Sequence, residues 1–179
     1  MTGQWTVGVD FGGTNIKCGL VDARGRVRRS LVLSSKRFGR PAAFVNGMVS
    51  TVQELARAAG VPVHRLRGVG VGAPGLVDVR RGLIHELTNV PGWHHVPLAH
   101  RMSARLSVPV FVDNDVNLMT LGEWRWGAGR GAQALGWLTL GTGVGGGLVF
   151  DGTMYRGASG AAGELGHMVV DPAGPRCAC

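Results

Sequence analysis

The sequence has one tyrosine in 179 residues, 6% aromatic residues overall, three cysteines, and 11 acidic residues against 19 basic ones. It has no run of about eighteen apolar residues, which excludes a membrane-spanning helix by length. The N-terminus enters a strand pattern without a signal-peptide pattern, so a cytoplasmic chain with no membrane partner is expected. The formal charge of +8 raises the question of nucleic acid. The positive residues are nearly all arginine and scattered, however, and no basic stripe is interleaved with aromatics, so no nucleic-acid partner is expected. The few cysteines are compatible with a reducing compartment, and two of them, Cys177 and Cys179, stand at the last positions. Low-complexity segments and obvious linkers are missing as well. Apolar residues are plentiful at 45%, enough to build a core over about one domain's length.

Strand and helix patterns alternate along the chain. "WTVGVD", "IKCGLVD" and "VRRSLVL" read as three strands joined by "FGGTN" and the "ARGR" turn. A helix is expected from about Ala42 to Ala59, where Phe44, Met48, Val52, Leu55, Ala56 and Ala59 recur on one face, with Gly60 ending it. "LRGVGVGAPG" is a buried strand running into a loop, and "FVDNDVNLMTLGEW" is a strand that becomes a helix around Asp113 to Asp115. "LGWLTLGTGVGGGLVF" is a second glycine-rich hairpin. Interleaved strands and helices favour an α/β fold, and two similar hairpins suggest a duplicated architecture.

"GVDFGGTNIK", residues 8 to 17, carries the first chemical signal. Bare glycine amides in a turn form a concavity suited to an anion, which the carboxylate of Asp10 would repel. The two belong together when a cation lies between them, which points to phosphate plus Mg²⁺. The competing reading is a plain Gly-Gly hairpin turn with a solvated Asp10. Asp10-Phe11-Gly12 also spells the metal-binding tripeptide of protein kinases, but only nine residues precede it instead of a nucleotide lobe. "GTGVGG", residues 141 to 146, spells the dinucleotide fingerprint, whose purpose is to aim a helix N-terminus at a pyrophosphate. A strand-like "GLVFDGTMY" follows in place of a helix, which weakens an oxidoreductase reading and leaves a glycine-lined phosphate turn.

Phosphoryl transfer to an alcohol needs a base to accept the hydroxyl proton. "DNDVN" offers Asp113 and Asp115; an acidic pair at a helix start also serves as N-cap and dipole partner, which is the better account of Asp113. Glu164 and His167 are three residues apart and share a face if their segment is helical. The preceding "GASGAAG" argues for close packing against something.

Taken together, "VGVDFGGTNIKCGLVD", "GVGVGAPGLVD", "NVPGW", "VDNDVN", "LTLGTGVGGGLVFDGTMYRGASGAAGELGHMVVDP" and "CAC" resemble, in order and spacing, the ROK family of sugar kinases and sugar-sensing repressors. The match covers essentially the whole chain, and "GELGH" followed by Cys-x-Cys is its most specific part. The resemblance implies an actin-like fold of the hexokinase and Hsp70 type, with a small N-terminal domain over 1–117 and the start of a large domain over 118–179. It also implies a longer, C-terminally extended protein, since the family's zinc loop has the form C-x-C-G-x-x-G-C and this sequence holds its first two cysteines. Activity of the 179 residues by themselves is therefore in question.

The same resemblance implies an ATP-dependent hexose kinase, glucokinase first, with Asp115 as base. Gly75, Asn89, Asn114, Glu164 and His167 would contact the sugar. Gly12, Gly13 and Thr14 from one hairpin, and Gly141, Thr142 and Gly143 from the other, would hold the phosphates of ATP across a cleft. Asp10 would hold Mg²⁺ through water, and Lys17 would reach a phosphate or a carboxylate. His167, Cys177 and Cys179 would bind a structural Zn²⁺ whose fourth ligand this sequence lacks. Fructose, mannose or an N-acetylhexosamine are alternative substrates. A polyphosphate donor fits less well, because the cysteine loop resembles the zinc-bearing, ATP-using branch. A homo-oligomer, dimer or tetramer, is expected of the full-length protein. The repressor alternative would place a winged helix-turn-helix ahead of the core, for which Asp10 leaves no room.

Overall fold

The structure is a computed structural model that describes residues 4–87, 90, 92–141 and 143–176. Alternation of apolar and small or polar residues sets the first strands, β1 (Trp5–Phe11) and β2 (Asn15–Val21), which pair antiparallel. Val7, Val9 and Phe11 from β1 and Ile16, Cys18 and Leu20 from β2 all point to one buried face. β3 (Val27–Ser34) adds an antiparallel edge. β4 (Leu66–Ala73) lies parallel to β1 on its other side.

The helix between β3 and β4, α1 (Pro41–Ala58), covers the buried face. Proline at its first position has no N–H to leave unpaired. Phe44, Met48, Val52 and Leu55 recur at three- and four-residue steps and are buried. The chain leaves the helix through Gly60, whose φ of 67° is the left-handed conformation that glycine adopts without strain. The helix read from sequence is therefore present, shifted by one residue at each end.

Three short strands follow, β5 (Leu76–Asp78), β6 (Leu83–Glu86) and β7 (His94–Val96), forming a small antiparallel sheet. Helix α2 (Leu98–Leu106) returns the chain, burying Leu98, Met102 and Leu106. β8 (Val110–Asn114) then joins parallel to β4 and completes the sheet in the order β3-β2-β1-β4-β8. It passes directly into α3 (Asp115–Trp126). The last sheet, in the order β11-β10-β9, consists of β9 (Ala134–Leu140), β10 (Val144–Phe150) and β11 (Thr153–Tyr155). The hairpin and the strand after "GTGVGG" thus form as the sequence pattern requires. No helix among the described residues is long and apolar enough to cross a membrane.

Candidate active site

β4 and β8 run parallel with Val69 to Ala73 opposite Val110 to Asn114, so both deliver their C-terminal ends to the same edge. That edge places Gly75 beside the β8–α3 turn: the Asn114 side-chain amide donates to the Gly75 carbonyl at 3.3 Å. Asn114 is also the N-cap of α3, its Oδ1 accepting from the amides of Val116 at 2.9 Å and Asn117 at 3.2 Å. Such a cap is worth about 0.5–2 kcal/mol. Among the described residues, the second side-chain N–H of Asn114 has no partner.

The capping role expected of Asp113 is therefore corrected: Asn114 caps the helix. Asp113 is only 5% exposed. Its carboxylate accepts from the Asn114 amide at 2.8 Å, from the Asn117 side chain at 3.2 Å and from the guanidinium of Arg156. A buried carboxylate is tolerated when paired and fully hydrogen-bonded, and this one is. It lies one residue too early in β8 to serve the helix terminus.

Asp115 opens α3, with Oδ1 accepting from the Val116 amide at 3.0 Å. Burial holds its carboxyl above the usual Asp range; the negative charges of Asp10 and Glu164 push the same way, against the pull of the Val116 amide. A proton acceptor strengthened by desolvation is what a general base requires.

Two pockets flank this turn. One, of about 310 Å³, is lined by Gly75 and Asn114 on one side and by Glu164, His167 and the bare backbone of Gly145 and Gly146 on the other. The second, of about 550 Å³, lies on the sheet face opposite α1; Asp10, Lys17, Asp115 and Met119 line it over glycines of β1, β2 and β4. Asp10 and Lys17 are register partners across β1 and β2. Four sugar-site candidates thus come together in the first pocket, and Asp115 shares the second with the phosphate-side candidates Asp10 and Lys17.

Glu164 and His167 flank a single 3-10 turn, Leu165–His167, with Nε2 to Oε2 at 3.8 Å and both side chains half exposed. What the glycine-rich approach packs against is β10. A Cβ on Gly145 would lie 2.7 Å from Val116, on Gly146 2.3 Å from the Gly163 carbonyl oxygen, and on Gly147 2.2 Å from Thr120. Successive glycines point to opposite faces of the strand, so Gly145 and Gly147 admit α3 while Gly146 admits the Glu164 turn. Sequence reasoning gave these glycines no packing role.

The chain matches the ROK family over residues 6–179. It belongs to the ROK family. The ROK chain is 38% identical to the glucokinase of Thermotoga maritima, over 97% of its own length and 53% of that protein. It is 29% identical to the xylose repressor of Bacillus subtilis, over 98% of its length and 45% of the repressor's. A structure of a ROK family glucokinase from Streptomyces griseus in complex with glucose and AMPPNP superposes with a TM-score of 0.81 at 36% identity, covering 94% of this chain and 51% of that one. The chain spans about half the length of the curated relatives it matches. Its mixed α/β sheet is that of the actin-like ATPase fold of the ROK sugar kinases.

The turn Gly12–Thr14 joins β1 to β2, with Ser35 Oγ donating to the Gly12 carbonyl at 2.6 Å. The β9–β10 turn carries Gly141 and Gly143, linked by a 2.9 Å bond from the Gly141 amide to the Gly143 carbonyl. None of the described residues of either turn lines the two pockets above. Asn89, Thr142, Cys177 and Cys179 lie outside the described residues. Among the described residues no three His, Cys, Asp or Glu side chains are grouped to hold a metal. The residues that sequence reasoning missed are Arg156 and Asn117, both partners of Asp113. "DVN" hinted at Asn117 on the inner turn of α3; nothing local marks Arg156.

Proposed function

We propose that this ROK chain carries the sugar pocket and catalytic base of an ATP-dependent hexose kinase, with glucose as first substrate. The observation that carries the reading is Asp115: a desolvated carboxylate that lines the glycine-floored pocket and stands, in the chain, between Asn114 and Val116 of the polar one. The likeness to glucokinases and to a glucose- and AMPPNP-bound relative supports the choice of hexose and nucleotide. Gly75, Asn114, Glu164 and His167 bind the hexose, with Asn89 as a further contact, and Asp115 takes the hydroxyl proton on its Oδ2. The hydroxyl oxygen attacks the terminal phosphorus of ATP, the bond to the leaving ADP breaks, and hexose phosphate forms.

The two glycine turns, Gly12–Gly13–Thr14 and Gly141–Thr142–Gly143, would bring bare backbone to the phosphates, with the Gly12 and Gly141 amides bracing the turns through the Asn15 and Gly143 carbonyls, and Lys17 adds a positive charge. Asp10 would hold Mg²⁺, which when bound spreads phosphate charge. His167 with Cys177 and Cys179 is a soft donor set suited to a structural Zn²⁺, of which this sequence supplies three ligands. The zinc would fix the ring of His167 toward the sugar. In this reading residues 1–117 form the small domain and 118–179 begin the large one, with α3 crossing the boundary. Cytoplasmic residence and self-association of the intact protein are part of the same reading.

The test is Asp115→Asn in the intact protein carrying this chain. Loss of a positioned base should lower kcat by about 10²–10⁴ while hexose still binds. The acid limb of kcat/KM should lie above the ordinary Asp range, because activity needs the ionised form and burial raises the pH at which it is reached. Near-normal kcat in the variant removes the base assignment. A sugar-sensing regulator core is the second reading, favoured by the likeness to the xylose repressor. It predicts hexose affinity without phosphorylation.

A further inference from the structure

We propose that Arg156 and Asp113 form a strut that sets the width of the sugar pocket, and that both are positioning residues. The inference rests on the reading of that pocket as a hexose site. The two walls come from segments far apart in the chain: Asn114 and Asn117 from the β8–α3 turn, and Gly160 to Ala162, Glu164 and His167 from the last glycine-rich stretch. Arg156 joins them. Its guanidinium Nη2 donates to Asp113 Oδ2. At its backbone, the Arg156 carbonyl accepts from the Ala162 amide at 3.0 Å, two residues before Glu164.

Asp113 carries the link onward. Its other oxygen, Oδ1, accepts from the Asn114 amide and the Asn117 side chain, so one carboxylate ties Arg156 to the first turn of α3, where Asp115 begins the helix. The pair is enclosed: the Asp113 side chain is 6% exposed and that of Arg156 30%. Arg156 also donates from Nη1 to the Met154 carbonyl at 3.4 Å, which anchors the guanidinium to β11, the strand just before it. The Arg156 Nε is buried and has no hydrogen-bond partner among the described residues. Among the described residues Asp113 is therefore the single acidic partner of the guanidinium, which lies outside the pocket lining and ties the two walls together, and burial makes that contact directional. An ion pair removed on one side leaves an uncompensated buried charge on the other, and the turn that carries it relaxes.

The test compares Arg156→Met, Arg156→Lys, Asp113→Asn and the double variant Asp113→Asn/Arg156→Met in the intact protein, with wild type and Asp115→Asn assayed alongside. A misplaced pocket wall should raise the hexose KM and lower kcat by about tenfold each in Arg156→Met, with the KM for ATP within about twofold. Arg156→Lys, which keeps a charge within reach of Asp113, should recover most of the loss. The double variant should be no worse than the worse single one, because the two residues act through one contact. Hexose KM and kcat both within about twofold of wild type in Arg156→Met overturn the strut, as do equal rises in the two KM values or additive losses in the double variant. If Arg156→Met fails to fold, Arg156→Lys and Asp113→Asn carry the test by the same KM split. A wild type that phosphorylates no hexose removes the kinase reading alone. Calorimetric glucose binding then decides the strut: weaker in Arg156→Met and restored in Arg156→Lys upholds it, unchanged affinity overturns it.

Discussion

In the five-stranded sheet and its helices, apolar side chains from Val7 to Val112 form one buried cluster. In the β9–β10–β11 sheet, Val149 and Met154 are buried, while Leu138, Leu140, Val144, Phe150 and Tyr155 are exposed. Both regions contribute to the 310 Å³ pocket, yet among the described residues only the first supplies a buried apolar cluster of its own. The second is held by close approach: glycines at 145 and 147 let β10 lie against Val116 and Thr120 of α3, and Gly146 lets the Glu164 turn settle on its other face. A wall made by backbone contact is thin in apolar area, which is where most stabilisation originates. The Asn114 side of the pocket is therefore built on the apolar cluster, and the Glu164 side depends on contacts with it.

The largest effect expected is in the first region. Trp93 is fully buried, its ring packed against Phe11 at 5.4 Å and Phe44 at 5.3 Å, with its indole N–H donated to the Gly39 carbonyl at 3.0 Å. Trp93→Ala removes that ring and leaves a cavity and an unpaired carbonyl, so urea unfolding of the 179-residue chain should lose about 3–5 kcal/mol. A loss below about 1 kcal/mol would mean that the cluster is not the stabilising centre and would erase the contrast between the regions.

Much of the first region was legible because its signals are local. Alternation in β1 and β2, the three- and four-residue spacing in α1 and the turn chemistry of Gly60 each act within a few residues. The small sheet β5–β6–β7 was not read, since strands of three or four residues carry too little alternation to stand out. α2 left a readable trace, Leu98, Met102 and Leu106 at four-residue steps, that went unused. At the site, the residue types of the β8–α3 turn were evident, but their division of labour was not. Asp113 and Asn114 are both capping residue types; Asn114 takes the cap because it stands at the helix boundary, and the carboxylate of Asp113 is engaged by Arg156, 43 residues away along the chain. Likewise the glycines of β10 announce close approach without naming the neighbour, because Thr120 and Gly163 reach them only through the tertiary fold.

An intermediate effect is expected where the two regions touch. Gly147→Ala places a Cβ 2.2 Å from Thr120 Oγ1, whose side chain is fully buried and bonded to the Val116 carbonyl at 2.8 Å. Neither strand nor helix has slack there, so the contact should weaken by about 1–3 kcal/mol. Hydrogen exchange should speed up in β10 while β1 stays protected, and adding Thr120→Ala should recover part of the loss by making room. Equal acceleration in β1 and β10 would show that the two regions unfold as one cooperative unit, and the contrast would then be one of packing style only.

The smallest effect is expected in the second region's own apolar face. Leu140 is 83% exposed at the end of β9, so Leu140→Ala deletes atoms that already contact water. Its unfolding free energy in the 179-residue chain should change by less than about 0.5 kcal/mol. The measurement is best made at two protein concentrations, because an exposed leucine is also a contact available to a second molecule. A loss of about 2 kcal/mol or more would place Leu140 in a covered site, and one that grows with concentration would identify the cover as another copy of the chain. Repeating the substitution in the intact protein separates the remaining case. A cost absent from the 179 residues but present there would mean that residues outside them pack on β9, and that the Glu164 wall of the pocket is held by that packing instead of by α3 alone.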